Sequence, residues 1–98
     1  MKSLSADKCF VGINGIDASF GFSVDTFADA SIKRSICNAS KQIFVLADHT
    51  KFNKRYLVKS FGFEDGLICT IITNSRNKNI DYRAIEQISS VVFADEQF

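Results

Sequence analysis

The sequence has no proline, no tryptophan and only five glycines in 98 residues. Without proline- or glycine-rich stretches there is no linker to divide the chain and no disorder-type composition. Residues 1–98 therefore read as a single domain of ordinary size. An excess of one charge is missing too, since the formal net charge is +1. A surface for DNA, RNA or an anionic membrane needs a clear basic excess on one face, so none is expected here. Any bound anion should be small and held locally.

Long hydrophobic runs are lacking as well. The longest, around Leu67 to Ile72, falls far short of the roughly 20 residues that cross a bilayer. The opening stretch MKSLSADKCF has no apolar core of the signal-peptide kind. A cytoplasmic protein without membrane contact is the expectation. Cys9, Cys37 and Cys69 are far apart, each in an apolar stretch, with no CxxC or Cys/His metal spacing. They read as reduced thiols packed as small hydrophobes, which fits the cytoplasm. Neither a metal nor a cofactor is expected. His49 is the only histidine; with no neighbouring Ser or Cys motif it makes no triad and is expected at a loop surface. The phosphate-loop signatures GxxxxGK[ST] and GxGxxG are absent.

What is present is a series of apolar segments. Cys9-Phe10-Val11-Gly12-Ile13 reads as a buried strand. A long loop, NGIDASFGFSVD, follows. Asp25 or Thr26 can cap a helix running to about Ser40, with Ile32, Ile36 and Ala39 facing inward and Asp29 pairing with Lys33 on the other side. Ile43 to Ala47 reads as a parallel strand covered on both faces. Leu57 to Phe61 reads as a short edge strand and Leu67 to Thr73 as a third strong strand. A short helix over 81–88 has Ile85 and Ile88 facing in, and Val91 to Ala94 closes the chain. This order predicts a small three-layer α/β fold: a Rossmann-like, mostly parallel sheet with flanking helices.

Parallel strands ending at Ile13, Ala47 and Thr73 would bring the loops starting at Asn14, Asp48 and Asn74 to one edge. Ligands of open α/β sheets bind at that edge. Carboxylates such as Asp17 and Asp48 accept hydrogen bonds from sugar hydroxyls. The Lys51 ammonium is a compact charge suited to a phosphate or carboxylate. Gly15 would let the backbone approach a ligand closely. A plain structural reading stands beside this one: Asp17 closes an Asx turn, Asp48 caps the turn after its strand, and the lysines form a solvated face.

Four blocks occur in order: DKCFVGINGID, then GFS at 21–23, then KRSICNASKQIFVLADHTKF, then IITN. Together they make residues 7–94 resemble the C-terminal effector domain of DeoR-family transcriptional regulators. The resemblance implies a fold like that of ribose-5-phosphate isomerase and CoA-transferase domains, and a phosphorylated sugar as effector. It matches Gly15 and Asp17 to the family's Gly-Ile-Asp loop, and Asp48 and Lys51 to its aspartate-to-lysine loop. Asn74 stands where the family has aspartate, and His49 and Thr50 replace a pair of small polar residues. The family's helix-turn-helix and its Ser-Gly-Thr-Thr phosphate loop do not occur in these 98 residues. DNA contact is therefore expected only through a domain absent from this chain.

Three functions follow in order of fit. The first is an effector-binding module without catalytic residues, in which Gly15, Asp17, Asp48 and Lys51 bind a sugar phosphate. The second is an assembly element that forms homo-oligomers through an exposed sheet edge and apolar face. The third is a sugar-phosphate isomerase, for which Asp17 and Asp48 with Lys51 would be the acid–base groups.

Overall fold

Alternation along the strands sets the architecture. In β1 (Ala6–Gly12) Cys9 and Val11 are buried while Lys8, Phe10 and Gly12 face out; in β4 (Ser40–Leu46) Ile43 and Val45 are buried while Leu46 is exposed. With β6 (Cys69–Thr73) and β7 (Ser90–Phe93) these strands form a four-stranded sheet, all parallel, in the order β1-β4-β6-β7. The α/β class and the parallel sheet are those the sequence predicts. The computed structural model describes residues 6–94. The resembling segment, 7–94, lies wholly within the described residues.

The loop expected over 14–25 is instead a hairpin. β2 (Gly15–Asp17) pairs antiparallel with β3 (Gly21–Val24), which pairs antiparallel with β5 (Val58–Phe61). All four residues of β3 are buried, so its short GFSV run is core rather than connection. Gly21, at φ 98°, makes the turn into β3 in a conformation that favours glycine. The helix that follows β3 packs against β1 and β4 of the parallel sheet and against β3 and β5 of the second sheet.

Helix α1 (Phe27–Asn38) starts at Thr26, whose hydroxyl accepts a 3.1 Å bond from the Asp29 N–H. Asp29 and Lys33 pair at 3.1 Å. The inward face differs from the expected one. Ala30 and Cys37 are buried, Ile36 is half-buried, and Ile32 is 59% exposed. The small residues decide this. Ala30 lies close enough to β5 for the Ser60 hydroxyl to donate to its carbonyl at 2.9 Å, and Ile32 turns to the opposite side.

Helix α2 is only Arg83–Glu86. Ile85 is fully buried, but Ile88 lies past the helix end and is 48% exposed, contrary to the sequence expectation. A larger correction concerns the layers. The expected cover on both faces of β4 is absent among the described residues. Phe10 and Leu46 are exposed on that face, and Phe44, Thr70, Ile72 and Val92 beside them are only half-buried.

Candidate functional site

The carboxyl ends of β1, β4 and β6 lie side by side, and the loop at 48–56 that follows β4 sits in the middle of that edge. Asp48 caps a 3-10 turn, His49–Lys51, by accepting a 2.8 Å bond from the Thr50 N–H and a short bond from the Thr50 hydroxyl. The hydroxyl bond, then the N–H bond, then the nearby charges of Lys51 and His49 hold the Asp48 carboxyl below its usual range.

Both flanks of this loop are pinned. The His49 N–H donates to the Asn74 side-chain oxygen at 3.1 Å, and the same oxygen accepts from the Thr73 hydroxyl at 3.2 Å. Phe52 is buried, bridges to Ile16 of β2 and stacks edge-on against Tyr82 at 4.8 Å; Tyr82 meets Phe93 the same way at 4.9 Å. Asn53 has φ 61°, a left-handed conformation that asparagine tolerates. That kink aims the N–H groups of Asn53 and Lys54 at the Ile16 carbonyl, at 2.6 and 3.2 Å. The Asn53 amide also donates to the Asp81 carbonyl at 2.9 Å. Asn53 and Phe52 are organising residues that the sequence reading missed. Asn74, which stands where the family has aspartate, pins the start of this turn.

Among the described residues Lys51, like Lys54 further along the loop, carries a free ammonium, and of the two only Lys51 lies on the turn beside Asp48. Its ammonium has no hydrogen-bond or ion-pair partner among the described residues, and it acts on Asp48 only as a nearby charge. The other two candidates have structural work. The Asp17 carboxylate accepts from the Phe20 N–H at 2.7 Å and from the Ser19 N–H and hydroxyl at 3.1 and 2.9 Å, and it pairs with Arg55 at 3.2 Å. It closes the hairpin turn and ties it to the 48–56 loop. Gly15 is approached closely by this chain's own backbone: a Cβ there would lie 2.6 Å from the Lys54 carbonyl oxygen and 2.8 Å from the Ser23 hydroxyl. The plain structural reading thus accounts for Asp17 and Gly15, whereas Asp48 and Lys51 share one exposed turn.

The first 75 residues match the family model of the DeoR C terminal sensor domain. This chain belongs to the DeoR sensor-domain family. It is 30% identical over 59 residues to a putative aga operon transcriptional repressor of Escherichia coli O157:H7, covering 60% of this chain and 22% of that protein. It is 31% identical over 70 residues to an uncharacterized HTH-type transcriptional regulator, FruR, of Bacillus subtilis strain 168, covering 71% of this chain and 28% of that protein. The match spans less than a third of either relative. No solved structure matches the chain.

The family match to the sensor domain stops just before an open surface cavity of about 450 Å³ lined by residues 76–83 and Glu86. Both of its arginines are engaged: Arg76 pairs with Glu86 at 3.2 Å and lies 4.0 Å over the Phe93 ring, and Arg83 pairs with Asp81 at 2.9 Å. On the buried side, Cys9 and Cys69 flank Ile43 at one level of the sheet, and Cys37 lies buried on α1. Burial, then the neighbouring Cys9, pushes the Cys37 thiol up to about 12, and burial pushes Cys69 up to about 12 as well. Thiols this hard to ionise are poor nucleophiles and poor metal ligands. No cluster of three metal-ligating side chains occurs among the described residues.

The acid limb of stability follows from the carboxylates. For Asp17, burial alone would raise the pKa, but the bonds from Phe20 and Ser19 and the Arg55 charge outweigh it and the net shift is downward. A lowered folded-state pKa stabilises the sensor domain above the unfolded value, and that contribution is lost as pH falls through the folded value. Asp48 adds to the same limb. Asp17→Asn is expected to flatten the loss of stability below about pH 4. Urea midpoints measured against pH check this; a limb as steep as the parent's would remove Asp17 from the account.

Proposed function

We propose that this chain is the effector-sensing part of a DeoR-family transcriptional regulator and that its ligand is a small phosphorylated sugar. The carrying observation is Lys51. It is an unpaired cation on a turn pinned from both sides, at the edge of a parallel sheet where ligands of this fold class bind. Lys51 supplies the charge for the phosphate. Asp48, with its second oxygen outside the cap bonds, accepts from a sugar hydroxyl. Gly15 and Asp17 serve the site indirectly, by seating the 48–56 loop against the hairpin.

In this reading the ligand shifts a longer regulator between two arrangements that differ in DNA affinity, and DNA is touched by a helix-turn-helix outside these 98 residues. The names of both relatives support a role in transcription. The near-neutral charge fits a part that does not itself meet DNA. The setting is the cytoplasm, and no helix among the described residues is long and apolar enough to cross a membrane. Catalysis is disfavoured because Asp17 is already committed to three hydrogen bonds and an ion pair, which leaves Asp48 beside Lys51 without the second carboxylate of an acid–base pair.

A thermal-shift screen with phosphorylated pentoses and hexoses tests the proposal. Ligand at 100-fold over Kd adds about 2.7 kcal/mol to stability. One sugar phosphate should raise Tm in the parent chain and fail to do so in Lys51→Ala. An equal shift in both proteins would rule out Lys51 as the anion contact.

A further inference from the structure

The hydrogen bonds around Asn74 fix more than the start of the Lys51 turn. A backbone N–H needs an acceptor, and the His49 N–H meets the Asn74 side chain at 3.1 Å, so the oxygen of that amide faces the turn. The Thr73 hydroxyl donates to the same oxygen at 3.2 Å. The amide nitrogen is thereby assigned to the other position, where it lies 3.5 Å from Nδ1 of the His49 ring. That is the long end of hydrogen-bond range, and its sense matters here more than its strength. An amide NH2 can only donate. In the neutral imidazole Nδ1 is then the accepting nitrogen, and Nε2 carries the proton.

The Nε2 side of the ring has no hydrogen-bond partner among the described residues. His49 is half-buried, unlike the exposed Asp48 and Thr50 on either side of it. Its ring and the Lys51 ammonium lie around one carboxylate, since the charges of both reach Asp48. The turn thus combines a free ammonium, a directed N–H donor and a carboxylate within four consecutive residues.

We propose that His49 is a further contact of the effector site, donating from Nε2 to a phosphate oxygen beside Lys51, and that Asn74 is the positioning residue that sets the place of this proton on the ring. The inference rests on the sugar-phosphate reading of the Lys51 turn and deepens it by stating what the anion must offer. It needs two accepting oxygens, one for a point charge and one for a neutral donor. A phosphomonoester carries three terminal acceptor oxygens and meets that demand, while a hydroxyl of the same ligand is left for Asp48.

His49 is the only histidine, so proton–nitrogen correlation NMR reads its ring without ambiguity. At about pH 8, above the usual histidine range, the parent chain should carry its ring proton on Nε2. In Asn74→Asp the new carboxylate can still accept from the His49 N–H and from Thr73, but it should draw the ring proton to Nδ1. A merely structural Asn74 would not move that signal. Titration with ribose 5-phosphate and fructose 6-phosphate, one pentose and one hexose, should shift Nε2 and leave Nδ1 nearly in place for whichever binds. His49→Phe keeps the ring shape without its nitrogens and should bind that sugar phosphate roughly ten- to hundredfold more weakly, as expected for loss of a hydrogen bond to a charged group. His49→Gln, whose amide offers an N–H near the Nε2 position, should recover most of the affinity. Binding unchanged in His49→Phe but lost in Lys51→Ala overturns this inference and leaves the Lys51 reading standing. Binding of neither sugar phosphate by the parent overturns both. A ring proton on Nδ1 in the parent, or one unmoved in Asn74→Asp, overturns the role given to Asn74.

Discussion

Phe22→Ala should lower the free energy of unfolding by about 3–5 kcal/mol, the range for removing a large buried aromatic. Phe22 is 1% exposed in the middle of β3. Its ring lies 4.6 Å from that of Phe61 and 4.7 Å from that of Phe63, so truncation opens a cavity and breaks two ring contacts at once. The ring also sits where the hairpin meets β5, which is the only strand pairing that β5 makes among the described residues. The layer should loosen around the cavity rather than collapse into it. Urea denaturation followed by far-ultraviolet circular dichroism measures the loss. A change below about 1 kcal/mol would mean that the hairpin layer contributes little to stability.

Gly15→Ala carries the second large effect, and it reaches the candidate site. The added methyl group would lie 2.6 Å from the Lys54 carbonyl, 2.8 Å from the Ser23 hydroxyl and 2.9 Å from the Tyr56 ring. The first of these is backbone and cannot swing aside. Either β2 or the 54–56 segment must move, at a cost of about 1–3 kcal/mol for overpacking. That segment continues the loop bearing Asp48 and Lys51, and the Tyr56 N–H donates to Ser23 at 2.8 Å in the same place. The variant should therefore lose stability and weaken sugar-phosphate binding together, whereas Lys51→Ala should weaken binding alone. Unfolding curves paired with ligand titrations separate the two patterns.

The main strands were legible in the sequence because their apolar runs are short and bounded. Cys9 to Ile13, Ile43 to Ala47 and Leu67 to Thr73 correspond to β1, β4 and β6, and the βαβ logic gave their parallel pairing. The hairpin escaped because β2 is three residues long and its pattern, GID, resembles a turn. Its strand character comes from pairing with β3 and from the Phe52 bridge, neither of which local sequence reveals. The helix face was read correctly at Ile36 and wrongly at Ile32, since periodicity favours large residues while close packing favoured Ala30 and Cys37. At the candidate site, Asp48 and Lys51 were legible as a strand-end turn. The Asx turn closed by Asp17 was legible as well; the close approach at Gly15 and the Arg55–Asp17 pair were not, because both involve residues 54–55, far along the chain.

The pinning of the 48–56 loop is uneven in strength. On one side it is sewn to β2 by backbone bonds to Ile16 and by the Arg55–Asp17 pair. On the other it rests on the 74–82 loop, which leads into a helix of four residues and an edge strand of four. Short edge elements open at a small fraction of the global unfolding energy. Excursions of the last strand would release Asn74, Asp81 and Tyr82 together while the hairpin side stays closed. The turn holding Lys51 thus has a hinge on one flank and a latch on the other, and a ligand that grips both flanks would lower the rate at which the latch lets go.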